Sequence, residues 1–155
     1  MEPGLGFHAP PLRSAISPTN RGVALPVAVT EPERSTHVAR ALGITGVVGS
    51  ITPWNWPMLI AAWHVMPALR AGCTVVNKPA SCTPLSTLRM YELMNSVLPP
   101  GVVNCIAGPG VIGDRMSKHP GINKIVFTGS TGTGKSVLAG TVETVKRVTL
   151  ELGGN

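Results

Sequence analysis

From Gly43 onward the chain alternates between two textures, and this constrains its fold more than any other feature. Five short β-branched runs, "GVVGSIT", "TVVNKP", "VVNCIAG", "KIVFTGS" and "RVTLELGG", are separated by four helical patterns beginning near Pro57, Pro84, Val111 and Thr131. The order reads β-α-β-α-β-α-β-α-β. It favours a parallel sheet with helices covering its faces. Pro57 suits a first helical turn, where a missing N–H costs nothing, whereas Pro67 is expected to kink or end that helix before "ALRAG". "LPPGVVN" closes the next helix and restarts a strand, and "KSVLAGTVETVKR" reads as the last helix. The strands share composition but no repeated motif, which excludes a solenoid.

Residues 1–42 differ. They carry Pro3, Pro10, Pro11, Pro18, Pro26 and Pro32 with little sustained periodicity, so regular elements are interrupted repeatedly. A proline-rich, poorly ordered segment is expected there, with at most a short strand near Val23–Val29. Residues 43–155 form the folded unit, and a chain of 155 residues suffices for one domain with a real core. Charged residues make up only 13% of the chain against 43% apolar, so some faces are expected to meet other protein.

The net charge of +6 comes from singly scattered Lys and Arg, without a basic run or interleaved aromatics, so nucleic acid is not an expected partner. Cys73, Cys82 and Cys105 form no C-x-x-C pair, and three is the wrong number for a secreted disulfide framework. They read as reduced thiols, and no metal site is assigned. The opening "MEPGLGFHAP" lacks a basic region followed by an apolar one, and no later apolar stretch reaches the roughly 18 residues of a membrane span. A soluble, cytoplasmic protein without a membrane partner is expected.

Two readings compete for "FTGSTGTGKS". Gly129, Gly134, Lys135 and Ser136 fit the G-x4-G-K-[ST] phosphate loop of nucleotide hydrolases, between a strand and a helix as that loop requires. The wider context disagrees. Only 19 residues follow Ser136, and Glu151 is the sole acidic strand end there that could help hold Mg²⁺. The other strand ends offer an alternative. "ITPWNWP", "NKPAS", "AGPGVIG", "GSTGTGK" and "ELGGN" would gather on the carboxyl edge of a parallel sheet, where such sheets bind ligands. Each alone is an ordinary tight turn. Five together point to a ligand site.

From about Gly46 to Asn155, the strings "GVVGSITPWNWP", "PALRAGCTVVNKPASCTPLS", "LPPGVVNCIAGPG", "HPGINKIVFTGSTGTGK" and "VTLELGGN" resemble the NAD(P)-dependent aldehyde dehydrogenase superfamily. The resemblance implies a Rossmann-like parallel sheet with helices on both faces, of the coenzyme-domain type. "GSTGTGK" then corresponds to the dinucleotide pyrophosphate loop, with Gly129 and Ser130 at the phosphates, Gly110 near the adenine, and Ile51, Thr52, Pro53, Gly134 and Leu152 in the cofactor site. Asn55 resembles the side-chain donor to the oxyanion formed when a thiolate attacks an aldehyde, a fixed neutral donor suited to a transient charge. Its alternative is a turn-capping Asn. Glu151 resembles the general base that activates water for thioester hydrolysis, with burial beside its apolar neighbours raising its pKa. A surface Glu at a strand end is the competing reading.

Lys78 resembles the lysine that binds the adenine-ribose hydroxyls. Three positions on, where NAD-preferring members commonly carry Glu, this chain has Ser81. Removing a carboxylate that repels a 2′-phosphate implies NADP or dual use rather than strict NAD. Trp54 fits either the nicotinamide side or a core position.

The resemblance also implies departures. The family's cysteine nucleophile follows the ELGG string by a few dozen residues, and none of Cys73, Cys82 or Cys105 matches it by motif. Residues 1–42 show no convincing match to the family's amino-terminal region. The chain therefore reads as cut at both ends, a partial dinucleotide-binding domain without the catalytic domain, serving an enzyme that oxidises a small aldehyde to an acid. Alone it is expected to be inactive, and self-association or docking to the missing domain is implied. A non-catalytic dinucleotide-binding module is the alternative, with the phosphate-loop hydrolase third.

Overall fold

In a computed structural model the chain is described over residues 46–153. The proline-rich 1–42 segment, including the strand expected near Val23–Val29, lies outside these residues. The elements are β1 (Val47–Ile51), α1 (Pro57–Arg70), β2 (Thr74–Lys78), α2 (Leu85–Asn95), β3 (Val103–Cys105), α3 (Gly110–Lys118), β4 (Lys124–Gly129), α4 (Thr131–Gly140) and β5 (Arg147–Leu152). All five expected strands and four helices are present in the expected order.

The strands form one parallel sheet in the order β3-β2-β1-β4-β5. The chain first moves outward from β1 to β3, then crosses back past β1 to β4 and β5. Right-handed crossovers in opposite directions put helices on opposite faces. Side-chain alternation along each strand separates the two cores accordingly. Val48, Val75 and Val103 pack beneath α1 and α2 with Val65, Ala68 and Tyr91. Val47, Ile51, Val76, Ile125 and Phe127 pack on the other face beneath α3 and α4 with Met116 and Val137. Burying each such side chain fully is worth roughly 1.5–3 kcal/mol, which makes these two clusters the main source of stability.

Two details differ from expectation. Pro67 does not end α1, which continues to Arg70, with the Ala71 N–H bonded to the Pro67 carbonyl. Pro67 lies on the exposed side of the last turn, so the carbonyl that its missing N–H would have met is open to water. The last helix stops at Gly140 instead of running through "TVETVKR". Thr141 turns the chain there, its hydroxyl donating to the Leu138 carbonyl at 2.7 Å, and this local bond competes with helix continuation.

Candidate functional site

In an open α/β sheet the reversal of strand order leaves a crevice at the carboxyl edge, because the helices on either side of it leave in opposite directions. Here the reversal falls between β1 and β4. A cleft of about 1030 Å³ occupies that place, walled by the loop after β1, the amino ends of α3 and α4, and the end of β5. Ile51, Thr52, Pro53, Trp54, Asn55, Lys78, Gly110, Gly129, Ser130, Glu151 and Leu152 all line it. The sheet thus brings together eleven of the thirteen residues singled out from sequence.

The other two stand behind the wall. Ser81 donates its hydroxyl to the Gly108 carbonyl at 2.8 Å and so ties the turn after β2 to the loop after β3. Gly134 is buried in α4, and a Cβ there would lie 2.5 Å from Leu152 Cδ2. It acts by letting the end of β5 approach α4.

Lys78 ends β2 beneath α3, only 5% exposed, with Nζ donating to the Pro79 carbonyl at 2.9 Å. Burial pushes its ammonium below the usual lysine range, partly opposed by Cys82 nearby. Gly113 sits directly over this side chain; a Cβ there would be 3.9 Å from Lys78 Cδ. Thr52 is buried, and its hydroxyl has no hydrogen-bond partner among the described residues although it lines the cleft. Asn55 is exposed, and its side-chain amide makes no hydrogen bond among these residues, which leaves both donors available to the cleft. Trp54 is 66% exposed and lines the cleft, so it does not take the core position.

Glu151 differs from expectation: it is exposed on the edge strand instead of buried beside its apolar neighbours. The surface position follows from β5 having no helix over that side of the sheet.

The phosphate-loop pattern is also resolved. A loop that wraps a phosphate needs several non-helical residues between strand and helix. Here β4 ends at Gly129 and α4 starts at Thr131, so Ser130 alone separates them and the glycines of "TGTG" are already helical. Lys135 is exposed and does not line the cleft. The string therefore builds a helix amino terminus aimed at the cleft. Ser130 caps it, accepting from the Thr133 N–H at 3.3 Å. The unpaired N–H groups of that first turn favour an anionic ligand.

Several cleft residues escaped the sequence reading. His64 bridges Ser50 Oγ (2.9 Å from Nδ1) and Thr128 Oγ1 (3.0 Å from Nε2), and burial lowers its pKa to about 4. The signal was present: His64 falls on the buried face of α1 with Ile60, Ala61, Val65 and Ala68, and a polar residue in that stripe needs a partner. Trp56 lies beside the cleft rather than in its lining. It takes a left-handed backbone conformation (φ 47°, ψ 49°) at the start of α1, a costly choice for a bulky residue that concentrates at ligand sites.

None of the three cysteines lines the cleft. Burial pushes the Cys105 thiol up to about 12, Cys82 is exposed in the turn before α2, and Cys73 precedes β2. Among the described residues no group of three or more His, Cys, Asp or Glu is placed to hold a metal, and no helix is long and apolar enough to cross a membrane.

The donor set fits a dinucleotide: a cation at Lys78, a helix amino terminus for phosphate, and an unpartnered buried hydroxyl at Thr52. Gly110, in the cleft lining, has open space where a Cβ would lie.

The family model described as "Aldehyde dehydrogenase family" matches residues 20–155, reaching into the proline-rich segment. The chain is 47% identical over 131 residues to the chloroplastic betaine aldehyde dehydrogenase of Beta vulgaris, covering 83% of this chain and 26% of that protein. It is 55% identical over 112 residues to retinaldehyde dehydrogenase 3 of Rattus norvegicus, covering 70% and 22%. Among solved structures, betaine aldehyde dehydrogenase from Staphylococcus aureus in complex with NAD+ superposes with a TM-score of 0.68 at 46% identity, over 70% of this chain and 22% of that one. An aldehyde dehydrogenase from Bartonella henselae gives 0.69 at 50% identity, over 71% and 24%. The chain spans about a quarter of the length of the relatives it matches.

Proposed function

Because the chain belongs to the aldehyde dehydrogenase family, we propose that its cleft binds NADP or NAD and that the complete protein oxidises an aldehyde to a carboxylic acid. The observation that carries this is the convergence of Lys78, the Ser130-capped amino end of α4 and the unpartnered Thr52 hydroxyl on the crevice between β1 and β4. When bound, the nicotinamide supplies a hydride acceptor. Asn55 donates to the oxygen that becomes negative as a thiolate adds to the aldehyde, and Glu151 takes a proton from the water that releases the acid. The thiolate comes from outside the described residues, since Cys73, Cys82 and Cys105 stand away from the cleft. Leu59, Trp63 and Met66, exposed along one side of α1, form the face on which the rest of the protein or a second copy docks.

Ser81 leaves no carboxylate near the Lys78 end of the cleft, which admits the 2′-phosphate of NADP. The test is a pair of variants assayed by equilibrium binding. Ser81→Glu should weaken NADP+ roughly tenfold and leave NAD+ nearly unchanged, because an added like charge close by is worth on the order of 1 kcal/mol or more. Equal weakening of both cofactors would refute this account of the preference. Lys135→Ala should leave both dinucleotides bound as before; loss of binding would restore a phosphate-loop role for Lys135.

A further inference from the structure

A chain of buried polar side chains crosses the sheet beneath α1 and ends in the cleft. Cys105 Sγ lies 3.8 Å from Asn77 Oδ1. Asn77 Nδ2 lies 2.7 Å from Ser50 Oγ and 3.5 Å from the Ser50 carbonyl, so the amide nitrogen is the end that faces Ser50. Ser50 Oγ is 2.9 Å from His64 Nδ1, and His64 Nε2 is 3.0 Å from Thr128 Oγ1. Ser50 and Asn77 have no exposed surface, so water cannot complete their bonding.

These contacts permit one direction only. The Asn77 amide can only donate through its nitrogen, so Ser50 Oγ accepts there, and the sole acceptor left for the Ser50 proton is His64 Nδ1. The ring proton then sits on Nε2 and donates to Thr128 Oγ1. The opposite tautomer would aim Nδ1–H at Ser50 and leave the serine proton buried without an acceptor. Thr128, having accepted from His64, keeps its own proton free to point into the cleft that it lines.

We propose that Cys105, Asn77, Ser50 and His64 act as a one-way hydrogen-bond chain that makes Thr128 a donor to an uncharged oxygen of the ligand in the cleft. An uncharged oxygen is specified because Thr128 pairs in register with Glu151 on the same face of the sheet, and that carboxylate would repel an anion. Thr128 touches the ligand; His64, Ser50 and Asn77 are positioning residues. The ligand end of this chain rests on the dinucleotide site proposed above. His64 remains neutral under physiological conditions, so the direction does not reverse by titration.

The experiment is ¹H–¹⁵N correlation of ring signals in ¹⁵N-histidine-labelled protein, with NADP+ binding measured in parallel. In the unsubstituted protein His64 should be the Nε2–H tautomer alone. Ser50→Ala removes the donor to Nδ1 while Nε2–H keeps Thr128 Oγ1, so the Nε2–H tautomer should persist with its Nδ1 signal shifted to that of a nitrogen without a hydrogen bond, an effect that simple loss of packing would not produce. Thr128→Val should leave the tautomer unchanged and weaken NADP+ by roughly 2- to 12-fold, the value of one hydrogen bond. An Nδ1–H tautomer in the unsubstituted protein, an unshifted Nδ1 signal in Ser50→Ala, or unchanged NADP+ affinity in Thr128→Val would each overturn the proposal. Failure of the unsubstituted protein to bind either dinucleotide would refute the cofactor site instead, and the tautomer would still decide the direction of the chain.

Discussion

Acid should destabilise this domain through one residue, His64. Its pKa falls from the ordinary 6.5 to about 4 because burial penalises the imidazolium. Above pH 6.5 the ring is neutral in both folded and unfolded chains, and it adds no pH dependence. Between pH 6.5 and about 4 the unfolded chain binds a proton that the folded one refuses, so stability falls as pH falls. Below about pH 4 both states are protonated and the loss levels off. Each pH unit in that window is worth about 1.4 kcal/mol, or about 3 kcal/mol across it. For a domain whose total stability is on the order of 5–15 kcal/mol, this is a large share. Urea unfolding followed by tryptophan fluorescence at a series of pH values would measure it, with His64→Gln as the non-titrating reference that removes contributions common to both proteins. The stability of the unsubstituted protein relative to His64→Gln should fall by about 3 kcal/mol from pH 7 to pH 4. A difference that stays constant across the window would refute the reasoning.

Other outcomes follow from packing and exposure. Gly140 lies where α4 crosses α3, and a Cβ there would run into Ser117 Oγ and meet Ser117 Cβ at 3.0 Å. Gly140→Ala should therefore cost about 1–3 kcal/mol despite the better helix propensity of alanine, and a stabilising result by thermal melting would show that the helices can part. The Cys105 thiol, pushed up to about 12, should resist iodoacetamide near neutral pH while exposed Cys82 is alkylated; peptide mass mapping after brief treatment would show the order, and early labelling of Cys105 would contradict its burial. The exposed Arg89–Glu92 pair, 2.6 Å apart, should matter little, with Glu92→Gln changing stability by less than about 1 kcal/mol.

The sheet was legible because its strands advertise themselves locally: "TVVNK" and "KIVFTG" carry β-branched residues bounded by Gly and Pro, and the helix starts coincide with Pro57, Pro84 and Thr131. The site followed, since a parallel order forces all five carboxyl ends to one edge. Burial was less legible. Glu151 lies beside apolar neighbours in sequence, yet its strand is at the sheet edge, and strand order is a long-range property that local composition does not encode. The polar chain from Asn77 to Thr128 was hidden for the same reason: its members are 14 to 64 positions apart, joined only when β1, β2, β4 and α1 assemble. The end of α4 at Gly140 turned on a single threonine hydroxyl, a competition too close for periodicity to decide.

The central claim is that the cleft between β1 and β4 is a dinucleotide site. Its most direct test is a fluorescence titration of the purified chain with NADP+, NAD+ and Mg-ATP, reading Trp54 and Trp63, which line the cleft, together with Trp56 beside them. Saturable quenching by either dinucleotide, with none by Mg-ATP, is the predicted result. A response to Mg-ATP alone, or to neither dinucleotide, would contradict it.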